Sequence, residues 1–464
     1  MKSHHMSHNV SRRNFLRRSA QLGALAGSPF ALNLAAIGSA AALVNPGSDY
    51  KALVCVYLLG GNDQSNTVVP CEGSAYTDYQ AARPSIALTQ ASLLPLSLQN
   101  HTGPRLGLNP SLATLKPLID AGSCALMANV GTLVEPTTLA QYKAGTARLP
   151  QGLFSHSDQM GAWQTGLPDR PSATGWFGRM ADLLAPVHAT TVVPMAVSVA
   201  GNNALQAGAD TVQYQVTTNG PVTIDTITPT HWRYSKAMAP TLTQQLTEPR
   251  DHLLESAFTT IGARSIAAGR VTAAALAGSV TPTTVFPGTA IGQQLRMVAR
   301  MISARGGLGQ SRQVFYVTHG GYDFHDTLVA SQNARLKELA DALAAFQAAM
   351  VELGVAPNVT AFTASDFGRG LQTNGRGSDH GWGAHHFVLG GAVWGNRIYG
   401  QWPTVRLGGP EDAGQGRLLP TTSVDQYAAT LATWFGVDVS LLPDVLPNLS
   451  RFAVPTSSSL GFLG

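Results

Sequence analysis

The sequence predicts an α/β protein built on a mostly parallel sheet flanked by helices. Three observations carry that expectation. Short apolar runs at 52–59, 124–130, 314–317 and 359–364 have the length and composition of buried strands. Stretches with helical spacing stand between them, and strand, helix, strand in alternation gives parallel βαβ units. Polar residues gather where three of these strands stop, the rim at which open α/β sheets bind ligands.

The composition suits a folded chain with a large core: 464 residues, 44% hydrophobic and only 12% charged. Lys and Arg number 30 against 26 Asp and Glu, but Lys2, Arg12, Arg13, Arg17 and Arg18 all lie in the first 42 residues. What remains is 25 basic against 26 acidic residues with no basic run, so the body carries no nucleic-acid footprint. Cys55, Cys71 and Cys124 form no C-x-x-C pair and allow at most one disulfide. Cys55 and Cys124 lie in apolar runs and read as small buried hydrophobes.

Taken in order, the chain opens on Ser11-Arg12-Arg13-Asn14-Phe15-Leu16, which resembles a twin-arginine export signature. An apolar Ala/Gly-rich stretch follows over 22–37, then small residues at 39–42 that suit cleavage. The expectation is a signal over 1–42, passage through the twin-arginine translocation machinery, and a periplasmic or secreted mature protein. Ser28, Pro29 and Asn33 interrupt the apolar stretch, which makes it a poor stable membrane span.

The run 52–59 leads into Gly60-Gly61-Asn62-Asp63, so Asp63 is a carboxylate at a strand end behind two glycines that permit a sharp turn. Residues 112–120 read as helix and 124–130 as the next strand. In Phe154-Ser155-His156-Ser157-Asp158, Ser157 or Asp158 is placed to cap a helix, and Ser155, His156 and Ser157 stand where free N–H groups favour an anion. The Thr/Val/Gly/Asn-rich segment 192–229 reads as short strands and loops, a lid or small insertion around 190–230. Residues 235–276 read as interrupted helix, and 291–303 as an amphipathic one with Leu295, Val298 and Ile302 on one side.

The strand at 314–317 delivers Thr318-His319-Gly320-Gly321-Tyr322-Asp323-Phe324-His325-Asp326. Asp323 and His325 are one residue apart, a spacing that puts both on one face of an extended segment and suits a metal. Leu336, Leu339, Leu343, Phe346, Met350 and Leu353 recur every three or four residues, so a core helix leads to the strand at 359–364. That strand ends in Ser365-Asp366. A glycine-rich loop follows, then Asp379, His380, His385 and His386 within eight residues, and an apolar run over 387–393. Residues 425–435 read as a surface helix and 452–464 as a polar tail. No internal repeat, phosphate-cradling G-x-x-x-x-G-K-[ST], G-x-S-x-G elbow or H-E-x-x-H is present.

The segments LLGGNDQSNTVVP from Leu58, LFSHSDQMGAWQTG from Leu153, THGGYDFHD from Thr318 and SDFGRG…GSDHGWGAHHFVLGGAVWG from Ser365 resemble the family called domain of unknown function 1501. That family is similar to the alkaline phosphatase and sulfatase superfamily. The resemblance implies an alkaline-phosphatase-like sheet, metal ions, and hydrolysis of phosphate or sulfate esters by a nucleophile at a helix start. It implies that Asp63, Asp323, His325, Asp366 and His385 or His386 hold metal and that Ser155 or Ser157 near His156 marks the nucleophile; His380 or Asp379, close by in the sequence, is expected to assist. Two departures stand out. Phe367 occupies the place of the histidine that usually follows the aspartate, and the Cys-x-Pro-x-Arg signature of type I sulfatases is missing.

The leading expectation is an exported metal-dependent hydrolase acting on a small anionic ester. Carboxylates with imidazoles favour zinc or manganese over calcium or magnesium. The alternative, favoured by Phe367, is a non-catalytic exported protein that binds a ligand or partner on the same fold.

Overall fold

A computed structural model describes residues 50–452 and 460–464; the expected export signal and residues 453–459 lie outside the described residues. The main sheet is made of β1 (Lys51–Leu58), β2 (Cys124–Gly131), β3 (Ala196–Ser198), β4 (Tyr214–Thr217), β5 (Gly220–Pro221), β6 (Arg312–His319), β7 (Val359–Ser365), β8 (Ala384–Gly390), β9 (Ile398–Tyr399) and β10 (Thr422–Ser423). Their order is β9-β2-β8-β7-β1-β6-β3-β4-β5, with β10 also beside β2. β1 runs parallel to both neighbours, pairing Leu53 with Thr360 on one side and with Val314 on the other. Only β8 and β5 run against the rest. The mostly parallel α/β sheet is therefore what the strand–helix alternation predicted, and the segment 192–229 supplies β3, β4 and β5 at one edge of it.

Six helices matter to the packing: α1 (His156–Thr165), α2 (Trp176–Leu183), α3 (Leu253–Gly278), α4 (Ala290–Ser303), α5 (Leu328–Glu352) and α6 (Val424–Phe435). Side chains alternate across a strand, so β1 feeds two cores at once. Ala52, Val54, Val56 and Leu58 join the core that α4 and α5 cover; Leu53, Cys55 and Tyr57 join the one that α1, α2 and α6 cover. The heptad-like residues of α5, Leu336, Leu339, Leu343, Phe346 and Met350, are all at most 1% exposed. Burial of each such side chain contributes about 1.5–3 kcal/mol. The helix begins at Leu328, well before its first periodic leucine, and Gly354 follows its end with φ 66°.

Two expectations are corrected. The helix at 425–435 is not a surface helix: Val424, Tyr427, Ala428, Leu431, Ala432 and Phe435 are buried on the second core. The cap of α1 is Ser155, earlier than Ser157 or Asp158, because Phe154 turns the chain at φ 72° and His156 is already helical. All three cysteines are buried and free, as their apolar surroundings suggested for Cys55 and Cys124. No helix among the described residues is long and apolar enough to cross a membrane.

Candidate functional site

Four segments meet at the C-terminal rim of β1, β6 and β7. β1 leads into Gly60, β6 leads to Asp323 and His325, β7 ends beside Asp366, and the first residue of α1 is His156. A short hairpin, Arg369–Thr373 with Ser378–His380, adds Arg369 and His380. Asp323 lies at the centre. Its Oδ1 is 2.9 Å from His325 Nε2, 3.3 Å from His380 Nε2 and 3.6 Å from His156 Nε2. Arg369 donates to the same oxygen from 3.0 Å through Nη1. The Arg369 side chain is fully buried, and it also donates to the Gly60 and Ser378 carbonyls.

The imidazoles are oriented from behind. His156 Nδ1 is 2.8 Å from Asp366 Oδ2, and the Gly60 N–H donates to that same oxygen from 3.0 Å. An ionised carboxylate only accepts, so His156 donates from Nδ1 and turns its Nε2, which has no hydrogen-bond partner, toward Asp323. His380 Nδ1 donates to the Phe154 carbonyl at 2.7 Å, so its Nε2 carries no proton and is placed to accept from His325 Nε2 at 3.0 Å. The Phe367 ring lies 4.7 Å from both the His156 and the His380 rings. It is an apolar floor beneath the two imidazoles. Gly60 holds φ at 112°, and a Cβ there would sit 2.6 Å from the Asp323 backbone nitrogen, so the rim tolerates only glycine at this point.

The charges follow. Partial burial pushes the Asp323 carboxyl up, but the Arg369 guanidinium and the His325 and His156 rings outweigh it and hold it below the usual range. Burial raises the Asp366 carboxyl, and His156 and the Gly60 N–H oppose that only in part. Burial lowers His380. Two groups of donor atoms lie within 4.8 Å of one another and are able to hold an ion: His156, Asp323 and His380, and beside it His325, Asp379 and His380. Asp379 is tied to Arg417 at 3.1 Å.

The structure does not bring every expected residue here. Asp63 sits at the end of β1 but is sealed: both its oxygens are taken by Arg83, at 2.8 and 2.6 Å, and neither side chain is exposed. His385 and His386 are adjacent on β8, so they point to opposite faces of the sheet and cannot meet at one ion. His385 stacks on Trp402 and accepts the Asn129 N–H at 3.0 Å; His386 stacks on Tyr427. Burial pushes both down to about 3. Ser155 and Ser157 hydrogen-bond each other at 3.3 Å on the outer side of the turn, and His156 takes the place between them that faces the cluster. Asp366 stands behind His156 instead of beside Asp323.

The sequence reading had missed Arg369, Arg83 and the Phe154 carbonyl. Arg369 had a signal, an arginine between two glycines three residues after Asp366. Arg83 had none, since it reaches Asp63 from the end of a separate helix.

Fold and site together define an α/β protein with an open carboxylate–imidazole cluster at the C-terminal rim of a parallel sheet. The family model described as "Protein of unknown function (DUF1501)" matches residues 50–439, and the chain belongs to that family. No curated protein matches it. Solved structures to which it is similar include Ps i-CgsB in complex with k-i-k-neocarrahexaose, at 9% identity over 86% of this chain and 77% of that one, with a TM-score of 0.32. BT1596, a 2-O GAG sulfatase, is similar at 9% identity over 89% of this chain and 72% of that one, TM-score 0.28. A mutant of the alkaline phosphatase PafA is similar at 14% identity over 69% and 64%, TM-score 0.23. At these scores the likeness is distant, and no chemistry follows from it.

Proposed function

We propose that the cluster is a divalent-metal site and that the protein is an exported hydrolase of phosphate or sulfate esters. One observation supports this above the others. His156 and His380 are each locked at Nδ1 by an acceptor, which turns both Nε2 atoms toward Asp323 Oδ1, at 3.6 and 3.3 Å. With Asp323 Oδ1 they form a group of donor atoms that all lie within 4.8 Å of one another, close enough to hold an ion. Imidazole ligands backed by a carboxylate or a backbone carbonyl are the usual support of a metal centre.

His156, Asp323 and His380 would hold the ion, and this N,N,O donor set suits zinc, or manganese, better than calcium or magnesium. A bound ion would supply a Lewis acid for an ester oxygen and acidify a water. The chain's own residues do the rest. Arg369 keeps Asp323 ionised and in place. His325, with a side chain 47% exposed and Nε2 2.9 Å from Asp323, stands at the open side of the cluster, where a departing oxygen would leave. The free backbone N–H groups at the start of α1 would offer donors to the remaining ester oxygens.

The test is zinc and manganese titration of chelated protein, followed by assays on aryl phosphate and aryl sulfate esters. Uptake of metal with turnover of either ester, both lost in Asp323→Ala, is the expected result. No uptake by the wild-type chain would end this reading. Phe367 favours a second one, in which the site binds without catalysis: an apolar ring fills the place where the resemblance expects a further histidine. Metal uptake with both esters left intact would select it.

A further inference from the structure

Just below the cluster, a second hydrogen-bonded chain holds the turn that carries Asp323. β6 ends at His319, whose side chain is 4% exposed. Its Nε2 is 3.0 Å from Glu338 Oε2, and its Nδ1 is 2.9 Å from the Tyr322 hydroxyl. Glu338 belongs to α5 and also receives Arg335 Nη1 at 3.0 Å. A carboxylate only accepts, so Nε2 carries the proton and Nδ1 takes the Tyr322 O–H. The arrangement is thus directional, from Tyr322 through His319 to Glu338.

Tyr322 is fully buried and is the residue before Asp323. Its N–H donates to the Leu59 carbonyl at 3.1 Å, so the turn is fastened to β1 by its backbone and to α5 by its side chain. None of these three side chains reaches the cluster. We infer that His319 is a positioning residue: with Tyr322 and Glu338 it ties the Asp323–His325 turn to α5 and so sets the divalent-cation affinity of the cluster. This rests on the metal reading above. Metal centres lose affinity when groups behind the ligands are loosened, typically about 10–100-fold.

The test compares wild type, Tyr322→Phe, His319→Gln, Glu338→Leu and Glu338→Gln, each as full-length chelated protein titrated with zinc. Tyr322→Phe removes one hydroxyl and leaves the ring, so it keeps the test open where His319→Gln fails to fold. Tyr322→Phe, His319→Gln and Glu338→Leu are expected to lose about 10–100-fold in zinc affinity. Glu338→Gln retains an acceptor for His319 and is expected to bind as wild type does, a rescue that general loosening of the fold would not produce. Equal affinity in all variants overturns the proposal.

Hydrogen exchange of the metal-free proteins is the second arm. Faster exchange over residues 320–326 in Tyr322→Phe, with 359–365 unchanged, supports the tie; an unchanged 320–326 overturns it. If the wild-type chain takes up no zinc, the metal reading fails while exchange still decides whether His319 holds this turn.

Discussion

Asp63 and Asp323 both follow the C-terminal end of a central parallel strand, yet their surroundings are opposite. Asp63 is wholly buried, and one arginine occupies both of its oxygens. Asp323 has a side chain 46% exposed, and three imidazoles with one guanidinium converge on a single oxygen. A sealed ion pair is satisfied within the protein and has no atom left for a ligand. An open carboxylate that meets one guanidinium and three rings at a single oxygen is half exposed and keeps room for a ligand. The strand end is common to both; the counter-ion that packing delivers decides which becomes a site.

That contrast is open to direct attack. Asp63→Asn keeps the shape but leaves Arg83 buried without a counter-ion, which is expected to cost about 3–5 kcal/mol in urea unfolding. Zinc uptake by the folded variant is expected to be unchanged. Loss of zinc uptake without loss of stability would reverse the roles assigned to the two aspartates.

Asp323→Ala is the mirror experiment. It is expected to lower zinc affinity by more than about 100-fold, since in the proposed site it removes a direct ligand and not merely an outer-shell partner. Its effect on unfolding should be smaller than that of Asp63→Asn, because the carboxylate is half exposed. Asp366→Asn sharpens the comparison further. An amide at 366 stops forcing the proton of His156 onto Nδ1, and the expected cost is about 10–100-fold in zinc affinity. Wild-type affinity in Asp366→Asn would remove the tautomer from the account.

The smallest expected effect concerns the buried histidines left out of the cluster. His385 and His386 stay neutral in the fold down to about 3, against an ordinary value of 6.5. Unfolding lets them take protons in between. Their contribution is therefore complete above about pH 6.5 and is lost as the pH falls toward 3, at roughly 1.4 kcal/mol per pH unit for each ring. His386→Phe should flatten the fall in unfolding free energy between pH 6 and pH 4 by about one such slope. An unchanged slope would show that His386 is not neutral in the folded chain.

Much of the fold was legible because its signals are local. The run at 52–59 and the 336–353 periodicity each specify their own element; the strand is shifted by one residue, and the helix starts earlier, at Leu328. The 425–435 helix was misplaced to the surface because its apolar face was read without the sheet that covers it. Within the site, Asp323, His325, His380 and His156 were nominated from the polar clusters that follow strands or start a helix. His385 and His386 were nominated on proximity in sequence, although adjacent residues of a strand face opposite ways. Asp63 failed for a different reason: nothing near Gly60-Gly61-Asn62-Asp63 announces an arginine twenty positions later.

By itself the sequence determined that strands and helices alternate, that polar groups stand at the strand ends, and that the chain carries the family's motifs. These follow from short-range patterning, in which each residue's neighbours along the chain set its conformation. Only the tertiary structure decided which carboxylates remain free, which ring nitrogens face Asp323, and that Arg369 and the Phe154 carbonyl serve the same cluster. Those outcomes depend on pairings between segments up to hundreds of residues apart, and a charge or a proton settles where packing places its partner.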